Sequence, residues 1–233
     1  MLGIVVSLPW ELKSLTYQKI PLGAWRSIAN NTMVALSGVG AERAHAAGSV
    51  LIAEGATALL SWGCAAALED SVSPGYLILP ERIIGASGDV HWVSTEWHRR
   101  LYQTLKSRQP IRTDPLVESP VVVKTAAEKR ELAQRTQAAA TDMESAAQAR
   151  LAQEQRLPFM AIRAILDTVS TDIPKNVLKA VGPQGDISVA KLLASVFLLP
   201  TDWVRIVRLG IQFNAAQRAL RKAREPVLDA SRF

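Results

Sequence analysis

Six short apolar runs separated by helical spacing constrain this chain more than any other feature. The first, Leu2-Gly3-Ile4-Val5-Val6-Ser7-Leu8, is continuous rather than alternating and stops at Pro9, the pattern of a strand buried on both faces of a parallel sheet. Residues 32–37, 58–61, 76–80, 121–123 and 159–166 read as further strands, and residues 110–120 as a polar connection. Between them the spacing predicts a small-residue helix over 41–53, a helix over 94–108 with Trp97, Leu101 and Leu105 on one face, and a charged, exposed helix over 126–136. A further alanine-rich helix opens at Ala140-Thr141-Asp142-Met143-Glu144-Ser145-Ala146-Ala147, with Glu144 at its mouth, where backbone N–H groups favour negative charge. Strands alternating with helices imply an α/β fold around a central mixed, largely parallel twisted sheet. The expected organisation is one such domain over residues 1–187, with a helical extension over 188–233 made of two helices, 188–199 and 202–224, separated by Pro200.

In sheets of this kind ligands gather outside the carboxyl ends of the strands. Glu11, Gly38, Gly63 and Asp167 each follow a strand end, so one crevice should gather them. With Glu144 added, that crevice holds three carboxylates. Splitting an N-glycosidic bond needs an acid to protonate the leaving base, a group to hold the attacking oxygen nucleophile, and an acceptor to fix the sugar as positive charge grows on it. Three carboxylates meet those needs without a metal. A carboxylate fixed at a strand-helix junction, as Glu144 is, suits the paired hydroxyls of a ribose. Asp167 ends an apolar strand, so burial is expected to favour its protonated form. His45, His91 and His98 show no spacing with acids or with Cys64 that suggests a metal site, and they read as surface or helix histidines. Cys64 has no histidine partner in sequence and reads as a lining residue, not a nucleophile.

Composition narrows the class. The 233 residues are 48% hydrophobic and 21% charged, within the range of folded globular chains, and no apolar run is long enough to span a bilayer. The short apolar start lacks a basic leader and a cleavage site, and the single cysteine points to a reducing, cytoplasmic setting. The net charge is +6, with Arg205, Arg208, Arg218, Arg221, Lys222 and Arg224 near the end. Over 196–224 these interleave with Phe197, Trp203, Ile206 and Leu209. The segment reads equally as an amphipathic helix on an anionic membrane surface and as a helix docked on the domain.

Four motifs, in order, resemble the purine nucleoside phosphorylase and nucleosidase superfamily, above all its branch acting on methylthioadenosine and adenosylhomocysteine. Ser37-Gly38-Val39-Gly40-Ala41-Glu42-Arg43-Ala44 is similar to that family's Ser-Gly-Ile-Gly turn and helix. Trp62-Gly63-Cys64-Ala65-Ala66-Ala67-Leu68 resembles its glycine-rich turn, with alanine at two usual glycines. Asp142-Met143-Glu144-Ser145-Ala146-Ala147 resembles its Met-Glu ribose motif, and Arg163-Ala164-Ile165-Leu166-Asp167 its Arg-x-Ile-Ser-Asp segment, with Leu166 in place of serine. The resemblance implies that Glu144 binds the ribose hydroxyls, that Met143 lines the sugar, that Asp167 protonates the purine at N7, and that Glu11 positions water. It places Gly63, Cys64 and Ala65 along the base. It calls for no cofactor, and phosphate is the one co-substrate in question.

A phosphorylase needs cations for phosphate. Ser61 stands where the resembling phosphorylases carry an arginine, and Glu11 stands where another would be. Arg26, Arg43 and Arg163 remain, and Gly38 and Gly40 before a helix, with Arg43, form a candidate anion site. The balance favours water. Together, the Ser61-Trp62-Gly63-Cys64-Ala65 turn, the Thr141-Asp142-Met143-Glu144 motif and the basic apolar tail most resemble the hopanoid-associated phosphorylases. That resemblance implies release of adenine from adenosylhopane, a lipid-linked nucleoside, by a homodimer that touches the inner face of the membrane through 196–224. A soluble nucleoside substrate, or a non-catalytic membrane-surface protein on the same fold, are the alternatives. Nucleic acid is not an expected partner.

Overall fold

The computed structural model describes residues 1–172 and 203–229, the side chains of the latter from residue 210. Its centre is β1 (Leu2–Val6), hydrogen-bonded in parallel to β3 (Thr32–Leu36) on one side and to β4 (Ala58–Ala67) on the other. β1 and β3 are buried at every position, which explains their unbroken apolar sequence. β2 (Trp25–Ala29) closes that edge antiparallel to β3.

β4 is the pivot. β11 (Phe159–Asp167) runs parallel along one of its edges from Leu59 to Ala66. Its other edge is shared: β1 takes residues 58–62, and β10 (Ala140–Asp142) takes Ala66 and Ala67 in antiparallel pairing. Among the described residues, Gly63, Cys64 and Ala65 therefore have no strand on that edge. From β10 the sheet continues through β9 (Leu116–Glu118), β6 (Arg82–Ile84) and β7 (Val90–Trp92). β5 (Leu77–Ile78) and β8 (Ile111–Arg112) extend it beyond β11. The sheet is mixed, with more parallel than antiparallel ladders, as the alternation of runs implied.

The helices are α1 (Pro9–Leu12), α2 (Ala41–Ala53), α3 (Thr95–Leu105), α4 (Ala126–Thr136), α5 (Ser145–Glu154) and α6 (Trp203–Asp229). α2 packs on α5, and the contact is close because Gly48 carries no side chain; a Cβ there would lie 2.8 Å from Leu151. Trp97, Leu101 and Leu105 of α3 are fully buried, on the face their spacing gave them.

Three expectations need correction. Val121-Val122-Val123 is not a strand but an exposed segment after Pro120, and the strand β9 lies within the stretch read as a polar connection. β9 is only three residues long, carries Glu118 and is bracketed by Pro115 and Pro120, so composition hides it, although parallel pairing with β6 and β10 buries all three residues. His91 is neither on a helix nor at the surface: it sits buried in β7 and bonds Asp89 and Gln153. α6 also extends beyond its expected end. Its Ala216, Ala219, Leu220, Ala223 and Val227 are buried in the same core as the sheet, against β11 and α3, so from residue 210 this helix is docked. The expected helix over 188–199 and the boundary at 187 lie outside the described residues. No helix among the described residues is long and apolar enough to cross a membrane.

Candidate active site

The gap on the edge of β4 opens into a cleft. It is lined by Ser7, Leu8, Trp10 and Glu11 after β1, by Val39 after β3, and by Cys64, Ala65 and Ala66 of β4. Ser119 and Val121 to Val123 follow β9, Thr141 to Glu144 follow or end β10, and Leu166 and Asp167 end β11. The structure thus brings Glu11, Glu144 and Asp167 together, although they are far apart in sequence. Met143, Cys64 and Ala65 line the same cleft.

Glu11 stands in the first turn of α1, started by Pro9. Its Oε2 accepts the Leu8 N–H at 3.0 Å and its Oε1 accepts the Cys64 N–H at 2.7 Å, one of the backbone groups that the sheet leaves unpaired. The approach requires Gly63, where a Cβ would lie 2.6 Å from Glu11 Oε1. Burial raises the Glu11 carboxyl to about 7, against the opposing pull of Arg163 and of the two N–H groups.

Glu144 precedes α5 and reaches across to α2. Its Oε1 accepts the N–H of Gly40 at 2.9 Å, where Gly40 holds a positive φ of 105°. At the candidate anion site, the Gly40 N–H is thus taken by the chain's own carboxylate. Burial, then the neighbouring Asp142, push Glu144 up to about 8. Arg43 lies beside Gly38, its guanidinium 3.1 Å from where a Gly38 Cβ would be.

Asp142 and Arg163 form the floor. Arg163 Nε donates to Asp142 Oδ2 at 2.7 Å, and its second terminal nitrogen donates to Ser61 Oγ at 2.6 Å and to Ser145 Oγ at 2.9 Å. The remaining terminal nitrogen donates to the Ile162 carbonyl at 3.3 Å. Both side chains are almost fully buried. Arg163 is thus committed to protein acceptors, and Ser61, in place of an arginine, is one of them.

Asp167 is aimed by an irregularity. β11 keeps register with β4 through Ile165 and Ala65, then pairs Asp167 with Ala66, which leaves Leu166 as an extra residue. Such bulges re-aim side chains, and here Leu166 and Asp167 both face the cleft. Lys129 of α4 donates to Asp167 Oδ2. Burial raises the Asp167 carboxyl, and the Lys129 ammonium pulls it partly back. Burial, then the charge of Glu11, push the Cys64 thiol well above its ordinary range, which makes it a neutral lining group at neutral pH.

Sequence reasoning missed Asp142 as the partner of Arg163, the apolar lip Val121 to Val123, and Lys129. The one available signal for Lys129 was its spacing of three from Leu132, which puts both on one face of α4. Among the described residues no group of three or more His, Cys, Asp or Glu is placed to hold a metal.

The sequence profile of the phosphorylase superfamily matches residues 2–197. The chain belongs to this superfamily. Among solved structures, the 5′-methylthioadenosine/S-adenosylhomocysteine nucleosidase of Neisseria meningitidis, in complex with methylthio-immucillin-A, is similar over 98% of each chain, with a TM-score of 0.72 at 15% identity. The futalosine hydrolase of Helicobacter pylori is similar over 98% of this chain and 96% of its own, with a TM-score of 0.71 at 15% identity. At that identity the likeness establishes the shared fold of the superfamily members. No curated protein matches the sequence.

Proposed function

We propose that this protein cleaves the N-glycosidic bond of a 5′-modified adenine nucleoside and releases adenine. The observation that carries this reading is the convergence of Glu11, Glu144 and Asp167 on one cleft at the carboxyl ends of β1, β10 and β11. Asp167, whose carboxyl burial makes a weaker acid, gives its proton to N7 of the purine as the bond to C1′ breaks and the bonding electrons move into the base. Glu144 accepts the ribose 2′ and 3′ hydroxyls, and Met143 lies along the sugar. Glu11 orients water towards C1′ and takes its proton. With its pKa near 7, it is divided between the two protonation states at neutral pH and so serves as a base there.

Water is preferred over phosphate as the nucleophile. Arg163 is held by Asp142, Ser61 and Ser145, and the Gly40 N–H is held by Glu144, so two groups that would bind phosphate are already engaged. The solved relatives named as a nucleosidase and a hydrolase support the same choice.

The 5′ substituent is proposed to be apolar and large, as in adenosylhopane of hopanoid lipid biosynthesis. Val121 and Val122 stand at the cleft with 64% and 38% of their surfaces exposed, an apolar lip for a group leaving the site. The protein would act in the cytoplasm as a homodimer, meeting the membrane through the apolar and basic residues of 196–209. A nucleosidase acting on a soluble methylthioadenosine-type substrate is the competing reading, favoured by the named relatives. An adenine-release assay over 5′-substituted adenosines of increasing chain length, with and without phosphate, tests both. Turnover that rises with apolar length and ignores phosphate is expected. A requirement for phosphate would replace water as the nucleophile, and a preference for methylthioadenosine would replace the lipid substrate.

A further inference from the structure

α4 is a charged surface helix with one anomaly. Only Lys129 and Leu132 are buried in it, and Lys129 is fully so. A lysine with no solvent contact needs all its donors satisfied. Its ammonium donates to Asp167 Oδ2, to the Thr168 carbonyl at 2.8 Å and to the Thr171 carbonyl at 3.0 Å. All three acceptors lie in the segment that carries Asp167 out of β11. The start of α4 grips the same segment again, since the Ala126 N–H donates to Asp172 Oδ1 at 2.8 Å. Lys129 does not line the cleft, so it can reach a substrate only through Asp167.

We propose that Lys129 is the positioning residue for proton delivery to the departing base: from behind the cleft it fixes one oxygen of Asp167 and sets how readily that carboxyl gives up its proton. This deepens the reading of Asp167 as the acid and rests on it. The other titratable groups that line the cleft with Asp167 are Glu11 on α1, Cys64 on β4, and Asp142 and Glu144 at the end of β10 and just after it. Lys129, behind the cleft, is the cation in contact with the carboxyl. Its field favours the ionised form, which makes Asp167 a stronger acid than burial alone would leave it. An acid too weak holds its proton when the base needs it, whereas one too strong has already lost it at neutral pH.

The test compares full-length wild type, K129M, K129Q and K129R. The Asp167 carboxyl is titrated by carbon NMR on aspartate-labelled protein, its signal assigned by disappearance in D167N. In K129M and K129Q the midpoint should rise by about 1–3 pH units, and in K129R it should stay with wild type. An unmoved midpoint in a folded neutral variant overturns the proposal. Where neither neutral variant folds, K129R is read alone: an Asp167 midpoint and a basic limb of kcat/KM that both stay with wild type are expected, and a limb that moves while the midpoint does not overturns the link. With 5′-methylthioadenosine as substrate, the basic limb of kcat/KM against pH should move up in K129M by the shift seen in the titration and return in K129R. Slower turnover at every pH without movement of the limb would mark a structural tie alone and reject the proposal. Wild type that releases no adenine would reject the functional reading, and the NMR titration would still decide the link between Lys129 and Asp167.

Discussion

Glu11 and Glu144 are acids held where ionisation is costly, and that cost is measurable as stability. A carboxyl whose folded pKa is raised binds its proton more tightly in the fold than in the unfolded chain. The stability it contributes is full below the unfolded value of 4.5, falls as pH rises through the window between 4.5 and about 7 for Glu11, and is lost above it. E11Q, which cannot ionise, should therefore raise the Tm at pH 8, by an amount equivalent to about 1–3 kcal/mol, and should have little effect at pH 4.5. Thermal melts across that range check it; equal effects at both pH values would contradict a raised Glu11. A second prediction concerns Gly63. G63A places a methyl 2.6 Å from Glu11 Oε1, so the carboxylate must move, and adenine release should fall by about tenfold or more while the melting point changes little. The three acids were legible in sequence because each follows a strand end or opens a helix. Asp142 was not, and Lys129 showed only its place on the Leu132 face of α4, since little local distinguishes a charge that pairs across the fold from one that faces water.

At the level of elements, legibility followed burial. The β1, β3 and β11 runs announce themselves because both faces are covered and the residues are apolar apart from Thr32, Arg163 and Asp167. β9 does not, because three residues with a glutamate give no period, whereas Val121 to Val123 satisfy strand propensity yet form no strand, with Val121 and Val122 exposed beside the cleft. Sequence left α6 open between membrane and domain; from residue 210 the domain holds it. Phe213 packs against Trp10 with ring centroids 4.6 Å apart and planes tilted by 53°, and Gln217 donates to the Trp10 carbonyl at 2.5 Å, one residue from Glu11. The helix therefore buttresses the turn that presents Glu11. L220A, at a fully buried site, should cost about 2–5 kcal/mol in chemical denaturation. F213A should lower kcat more than it lowers stability if this buttress matters, and kinetics paired with melts separate the two.

For the whole molecule, the sheet explains why a site exists where it does. β4 lends one edge first to β1 and then to β10, and among the described residues the interval between them is left to side chains from neighbouring loops. Glu11 enters there, Glu144 arrives from the far side of β10, and Asp167 is turned in by the extra residue in β11. The expectation of a crevice at strand ends was general to α/β sheets; which strand was interrupted was written only in long-range pairing. That shared centre is the central claim, and single-turnover adenine release from 5′-methylthioadenosine by E11Q, E144Q and D167N tests it most directly. Each folded variant is predicted to lose at least about a hundredfold in rate, with release by wild type unaffected by phosphate. Wild-type release by any one of the three would contradict the claim that these acids serve a single reaction.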